Sequence, residues 1–274
     1  MDKKPVTRKD IAELCEVSIS VVSRALNNSG YVEESKRKKI IATAERLGYV
    51  PQPVAMSLQE RRTKQLLYYC KDLNNEYYLD HDFYGNYSQP GTVFADFRCV
   101  VNDYDFNQSD NIVLYGHNQA NGAMFGTLQK YKITKQSTKK FDFYLQHPTF
   151  TFSNLYEEYT YKIIALFVCE VEPEQTTDGN VFDYHNYIRF GSKERTYEEF
   201  ISSVEERSEI ITGVDVQEGD KFMTLSTCSN EFEPSRFVVI GRRVRDGESP
   251  EVDTSLAKLN PDAKEPDWNY IYSR

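Results

Sequence analysis

The chain of 274 residues is long enough for one or two domains, and with 39% apolar residues it can bury a core, which excludes wholesale disorder. Twenty Tyr and 16 Phe stand against one Trp, a bias toward pleated, half-buried surfaces and hence toward a mainly β protein. The net charge of −9 is unevenly divided, residues 1–72 carrying 14 Lys+Arg against 9 Asp+Glu and residues 73–274 carrying 19 against 33, so a basic region able to approach a polyanion is joined to an acidic one that a polyanion repels.

From the start, Met1-Asp2-Lys3-Lys4-Pro5 is polar and lacks the apolar segment and small-residue cleavage site of an export signal. The longest apolar run anywhere, Ile163 to Cys169, is seven residues, against the roughly 20 of a membrane span. These signals predict a chain that stays in the cytoplasm and has no membrane span. Thr7 can cap a first helix that carries Ile11, Ala12 and Leu14 on one face, with Asp10 as a weaker relative of a capping box. After a short break at Cys15-Glu16-Val17, Ser18 caps a second helix, Ile19 to Leu26. Its Val21, Val22 and Ala25 face inward, and Ile19, Ser20 and Arg24 outward. A third helix from about Glu33 to Leu47 ends at Gly48, suited to a left-handed C-cap. Two short helices across a three-residue turn make a helix-turn-helix.

These residues resemble the DNA-binding headpiece of the lactose-repressor family, through Val6 to Ala12, Val17 to Asn27 and Leu47-Gly48-Tyr49-Val50-Pro51, over about the first 65 residues. The resemblance implies that Ile19, Ser20 and Arg24 read the major groove, Arg24 bidentate to guanine and Ile19 against a thymine methyl. Val54-Ala55-Met56-Ser57-Leu58 matches the family's hinge helix, which gives Leu58 the role of minor-groove wedge. Glu16 departs from the family's usual turn glycine, at a cost of roughly 1 kcal/mol if the site needs positive φ. The family's sugar-sensing, dimer-forming domain is missing, only Gln65 to Leu73 resembling its first strand, so the headpiece is expected to read a single half-site.

Beyond residue 73 the sequence turns to short aromatic-rich stretches between Gly, Pro, Asn and Asp clusters. Thr92 to Arg98, Asn111 to Tyr115, Tyr159 to Val171, Lys221 to Ser226 and Arg236 to Arg243 are predicted strands, and Thr196 to Arg207 is a helix, amphipathic through Phe200, Ile201 and Val204. Many short strands with one inserted helix predict a closed β-barrel. No GxSxG elbow, Walker loop or HExxH occurs, and the four His at 81, 117, 147 and 185 lack metal-ligand spacing, so no metal or cofactor is expected. The five Cys at 15, 70, 99, 169 and 228 contain no CxxC pair and leave one over, which predicts free thiols rather than disulfides or a zinc cluster. What remains is one His and one Cys at strand ends. His117 leaves a buried strand at Gly116, and Cys228 ends Phe222 to Thr227 with Arg236 opening the next strand. A thiol beside imidazole and guanidinium can act as a nucleophile on carbonyls. By spacing alone, a small packed cysteine explains position 228 as well.

Tyr115-Gly116-His117-Asn118, Met124-Phe125-Gly126-Thr127-Leu128, Thr224 to Cys228 and Arg236 to Arg242, with Tyr77 to Phe83 ahead of them, resemble a class B sortase over roughly Asn74 to Arg245. The resemblance implies a cysteine transpeptidase. Such an enzyme cuts a sorting-signal peptide of a secreted protein through a thioacyl intermediate and passes it to a cell-wall amine at the outer face of the membrane. Cys228 is then the nucleophile, His117 the general acid and base, and Arg236 the oxyanion partner, with backbone N–H groups near Cys228 completing the hole. The substrate groove maps to Asn75, Leu79, Ser226 and Tyr187. His81 is expected to be structural, His147 and His185 surface or loop residues, and Cys15, Cys70, Cys99 and Cys169 packing thiols.

The two resemblances meet at Asp72 to Tyr78, which fits both families, a pattern that points to recombination or an assembly error in the underlying sequence. The expected organisation is a headpiece over 1–60, a linker or remnant strand over 61–73, and a catalytic barrel over 74–274. Three functions follow from it: a transpeptidase, a DNA-binding regulator, or a chimera that does neither.

Overall fold

The computed structural model describes residues 8–26, 31–47, 75–82, 84–99, 109–133, 139–153, 158–191 and 195–274. They fall into two compact units, one before and one after residue 65. Thr7, Gly48 and the 61–73 segment lie outside the described residues.

In the first unit, helices α1 (Arg8–Cys15), α2 (Ile19–Leu26) and α3 (Glu34–Leu47) pack around Ile11, Ala12, Cys15, Val22, Ala25 and Ile40. The predicted face of α1 is corrected at Leu14, which is 51% exposed. At about 100° per residue, Ile11, Cys15 and Ala12 share one arc and Leu14 falls outside it. Between α1 and α2, Glu16 adopts φ 56°. The Val17 N–H donates to the Ala12 carbonyl at 3.1 Å and the Glu16 N–H to the Glu13 carbonyl at 3.4 Å. This pair of bonds is the Schellman closure, which usually has glycine at the left-handed position. The glutamate there carries the expected backbone strain, about 1 kcal/mol.

The second unit is mainly β. Its strands are β1 (Phe94–Ala95), β2 (Asn111–Tyr115), β3 (Thr149–Ser153), β4 (Glu158–Glu170), β5 (Ile210–Ile211), β6 (Phe222–Cys228), β7 (Ser235–Arg243) and β8 (Lys258–Leu259). Six of them form one sheet in the order β1-β2-β6-β7-β4-β3, and β5 pairs with β8. Among the described residues the sheet is curled into a half-barrel with β1 and β3 at the two ends of its order. β2 and β6 are parallel, whereas β1–β2, β6–β7 and β7–β4 are antiparallel. Parallel neighbours need a long crossover. Here it contains helix α4 (Lys139–Gln146), β3, β4 and helix α5 (Tyr197–Arg207).

Burial follows position in the sheet. β4 is buried almost without interruption from Tyr161 to Glu170, as a strand covered on both faces must be. α5 begins at a capping box in which the Glu199 N–H donates to Thr196 Oγ1 at 3.1 Å and the Thr196 N–H to Glu199 Oε2 at 3.0 Å. It buries Phe200, Ile201 and Val204 as the periodicity predicts, Phe200 against Phe182, Tyr187, Phe190 and Phe222. The predicted strand Thr92 to Arg98 shrinks to two residues. The Asp96 carboxylate turns to accept the Arg98 N–H at 2.9 Å, and the Cys99 N–H closes a turn on the Asp96 carbonyl at 2.9 Å. At the far end of β7, fully buried Arg242 is answered by Glu248, which also takes Lys162 Nζ at 2.6 Å. This multiple pairing is what permits a guanidinium in the interior.

Gly241 sits in the middle of this packing. The rings of Phe150 and Tyr161 stack with centroids 5.2 Å apart, and a Cβ at Gly241 would lie 2.6 Å from Phe150. Gly241→Ala is expected to destabilise the second unit by about 1–3 kcal/mol through overpacking, read as a lower midpoint in urea at unchanged slope. An unchanged midpoint would show that the rings move aside freely.

Candidate active site at one sheet end

The register sets the site. Tyr115 lies opposite Ser226 in the parallel pair, and the Gly116 N–H donates to the Ser226 carbonyl at 3.2 Å, carrying the pairing one residue further. Gly116 permits this approach, because a Cβ there would meet the Phe125 ring at 2.9 Å. His117 and Cys228 therefore leave the same end of adjacent strands. β7 starts at that end, with Arg236 directly opposite Cys228. The structure thus brings the three sequence-predicted catalytic residues to one sheet end.

Their partners define what each can do. Cys228 is exposed, while Cys15, Cys99 and Cys169 are buried and reduced; Cys70 lies outside the described residues. Burial pushes the Cys99 thiol up to about 12 and raises that of Cys169 as well. His117 Nε2 lies 2.7 Å from the Leu79 carbonyl. A carbonyl can only accept, so Nε2 carries the proton and, in the neutral ring, Nδ1 is the open base. Arg236 is half-buried, with Nη1 3.1 Å from the Ser235 carbonyl.

The loop after the nucleophile is strapped down. Asn118 Nδ2 and Gln129 Nε2 each donate to the Cys228 carbonyl at 3.1 Å, and Lys132 Nζ donates to the Ser229 carbonyl at 2.7 Å while pairing with Glu231 at 2.8 Å. The Ser229 N–H donates to the Ser235 carbonyl at 3.3 Å and the Glu231 N–H to Ser229 Oγ at 3.1 Å. Two of the backbone N–H groups near Cys228 are thus bonded inside the loop.

The predicted groove residues have separate positions. Asn75 spans its side chain between Asp96 Oδ2 and the Phe97 N–H, both at 2.9 Å. Leu79 contributes its carbonyl to His117 and leaves its side chain 38% exposed. Ser226 is buried, its hydroxyl 2.7 Å from Tyr184 Oη. Tyr187 packs on Phe182 and Phe200 and lines a cavity of about 460 Å³ with Arg207 and Lys264. In the first unit, Arg24 is exposed on α2. The side chains of Ile19 and Ser20, and all of Leu58, lie outside the described residues.

Asp96, Tyr115 and His185 form a cluster the sequence reading missed. Asp96 is fully buried, and it accepts Asn75 Nδ2 at 2.9 Å, Arg98 Nε and Nη2 at 2.9 Å, and Tyr115 Oη at 2.7 Å. Burial alone would raise its carboxyl, but these donors outweigh it and hold the group below the usual range. Tyr115 Oη also lies 2.6 Å from His185 Nδ1. The phenol has one proton and gives it to the carboxylate, so His185 Nδ1 must donate. His185, expected to be a surface or loop residue, is half-buried on the short helical segment Tyr184–Tyr187, and burial moves its pKa down. His147 is exposed after α4. A charged residue in mid-strand, Asp96, was the available signal.

Among the described residues, no group of three His, Cys, Asp or Glu could hold a metal ion, and no helix is long and apolar enough to cross a membrane. Alkylation of the native chain by iodoacetamide, followed by peptide mass mapping, is expected to label Cys228 and to spare Cys99 and Cys169 until denaturant is added. Equal labelling of Cys99 would contradict this placement.

Comparison with known proteins agrees with the division into two units. The Sortase domain model matches residues 99–244, more than half of the chain, and the model for bacterial regulatory proteins of the lacI family matches residues 7–52. Sortase B of Listeria monocytogenes is 33% identical over 174 residues, covering 62% of this chain and 61% of that protein. The probable HTH-type transcriptional repressor ExuR of Bacillus subtilis is 41% identical over 100 residues, 36% of this chain and 28% of the repressor. The chain thus spans about three fifths of the first relative and under a third of the second. The X-ray structure of Clostridium perfringens sortase B aligns with a TM-score of 0.52 at 26% identity, over 66% of this chain and 87% of that one. With β2, β4, β6, β7 and the strand-end residues all inside the matched span, and a lacI-like segment ahead of it, the chain belongs to the sortase family.

Proposed function

We propose that the second unit is a cysteine transpeptidase acting on a sorting-signal peptide and a cell-wall amine. The observation that carries this reading is the exposed Cys228 at the end of β6, opposite Arg236 and beside the strand that delivers His117. In the first step the Cys228 thiol passes its proton to His117 Nδ1, the thiolate attacks the scissile carbonyl, and the C–N bond breaks as the imidazolium gives that proton to the leaving amine. Throughout, Nε2 keeps its own proton and donates it to the Leu79 carbonyl. In the second step the acceptor amine attacks the thioester, His117 takes its proton, and the C–S bond breaks to return the thiolate. Arg236 donates to the oxyanion in both steps. The Leu79 carbonyl meets the imidazole and the Leu79 side chain is exposed, which favours Leu79 as a groove wall.

Cys228→Ala is expected to abolish cleavage of a fluorogenic sorting-signal peptide with an unchanged circular dichroism spectrum. His117→Ala should lower kcat by about 10²–10⁴-fold and Arg236→Ala by about 10²–10³-fold. Full cleavage by the Cys228 variant would refute the assignment.

The first unit supports a second activity, DNA binding. Three helices closed around one small core, with Arg24 exposed on the second, match the lacI family model in a region of net positive charge. A single headpiece should bind a half-site weakly and with steep salt dependence. In gel shifts against a duplex pool at low salt, Arg24→Ala should weaken binding of the selected sequences by about 5–150-fold. Absence of any shift by the wild-type chain would remove this activity.

A further inference from the structure

The carbonyl of Cys228 ends a strand, where water would ordinarily solvate it. Instead two side-chain amides meet it, Asn118 Nδ2 and Gln129 Nε2, both at 3.1 Å. A carbonyl oxygen has two lone pairs, so its accepting capacity is filled. The opposite side of the same peptide, the Ser229 N–H, is held by the Ser235 carbonyl at 3.3 Å. The next carbonyl, of Ser229, is held by Lys132 Nζ at 2.7 Å. The peptide that follows the nucleophile is thus pinned on both faces. All three side-chain donors come from residues 118–132, the stretch that begins immediately after His117 and contains the short helical segment Gly126–Lys130.

We propose that Asn118 and Gln129 are positioning residues that lock the Cys228–Ser229 peptide to the segment carrying His117, fixing thiol and imidazole relative to each other. This rests on the transpeptidase reading and deepens it. The sheet register aligns the strands only up to Tyr115 and Ser226, with one further bond from Gly116. Beyond that point β7 still carries Cys228 through its pairing with Arg236, and the two amides tie that hairpin to the segment that follows His117. Neither amide touches the reacting atoms, so the effect is on geometry alone, where a displacement of about 1 Å can cost on the order of 10²-fold in rate.

The test uses the full chain with Asn118→Leu, Gln129→Met and the double variant, which keep side-chain volume, remove the donors and add no charge. Asn121→Leu serves as control, since Asn121 bonds the Ala123 N–H and not Cys228. Expected for the double variant are a kcat on the fluorogenic peptide lowered by about 10–100-fold, a KM within about twofold and iodoacetamide alkylation of Cys228 within about threefold of wild type, because an untethered thiol still meets a small diffusing reagent. The control should match wild type in all three. An unchanged kcat overturns the proposal. So does a joint fall of kcat, alkylation rate and melting temperature, which would mark the amides as parts of the fold only. A wild-type chain that cleaves no peptide refutes the transpeptidase reading itself and the clamp's catalytic role with it, a result separate from active wild type with unaffected variants.

Discussion

The parallel pairing of β2 with β6 is the constraint on which the site depends. In an antiparallel pair the ends of two strands lie at opposite edges of the sheet, so His117 and Cys228 would be separated by the strand length. Parallel pairing puts both C-terminal ends together, and antiparallel β7 then begins where β6 stops, which brings Arg236 alongside. Cys228 and Arg236 come from one hairpin and His117 from a distant stretch of sequence, and the three meet because of strand direction. The long crossover that parallel pairing demands is also the source of α4, β3, β4 and the insert with α5, so the bulk of the second unit is the connection that makes the site possible.

Around that geometry the polar groups divide into two sets. Asp96, Arg98, Asn75, Tyr115 and His185 form a buried, fully donated carboxylate cluster that ties the segment bearing Leu79 to the strand leading to His117. Asn118, Gln129 and Lys132 occupy the carbonyls that follow Cys228. Both sets spend their hydrogen-bonding capacity within the protein. Cys228 is left exposed among them, and Nδ1 of the neutral His117 ring is the nitrogen able to accept a proton. Arg236 gives one N–H of its guanidinium to the carbonyl of Ser235, the residue before it, and has four more donors in its fork.

Much of this was legible in the sequence. The helix-turn-helix boundaries, Asn111–Tyr115 as a strand, the long buried strand, and α5 with its Thr196 cap are written in local periodicity and capping chemistry. The catalytic trio came from strand ends and family likeness. What periodicity could not give were features set by tertiary contacts. In α4, Phe141, Phe143 and Tyr144 fit period two and a helical face equally well. β1 was cut short because Asp96 turned inward to its donors. Leu14 had helical spacing from Ile11 but lay off the packed arc. His185 looked like a loop residue until Tyr115, 70 residues away, accounted for its burial. The strand order of the sheet likewise depends on which strands meet, a fact that no single segment encodes.

The contacts that complete the site join residues very far apart along the chain: 21 for Asn75 to Asp96, 70 for Tyr115 to His185, 99 for Gln129 to Cys228 and 110 for Asn118 to Cys228. Each closure costs chain entropy that rises with the logarithm of the loop, so such contacts form after the local helices and hairpins. Assembly of the reactive centre therefore comes at the end of folding. A chain short of those closures carries the sulfur with its hairpin neighbour Arg236 but without the imidazole, and chemical competence is withheld until the last long loop has closed.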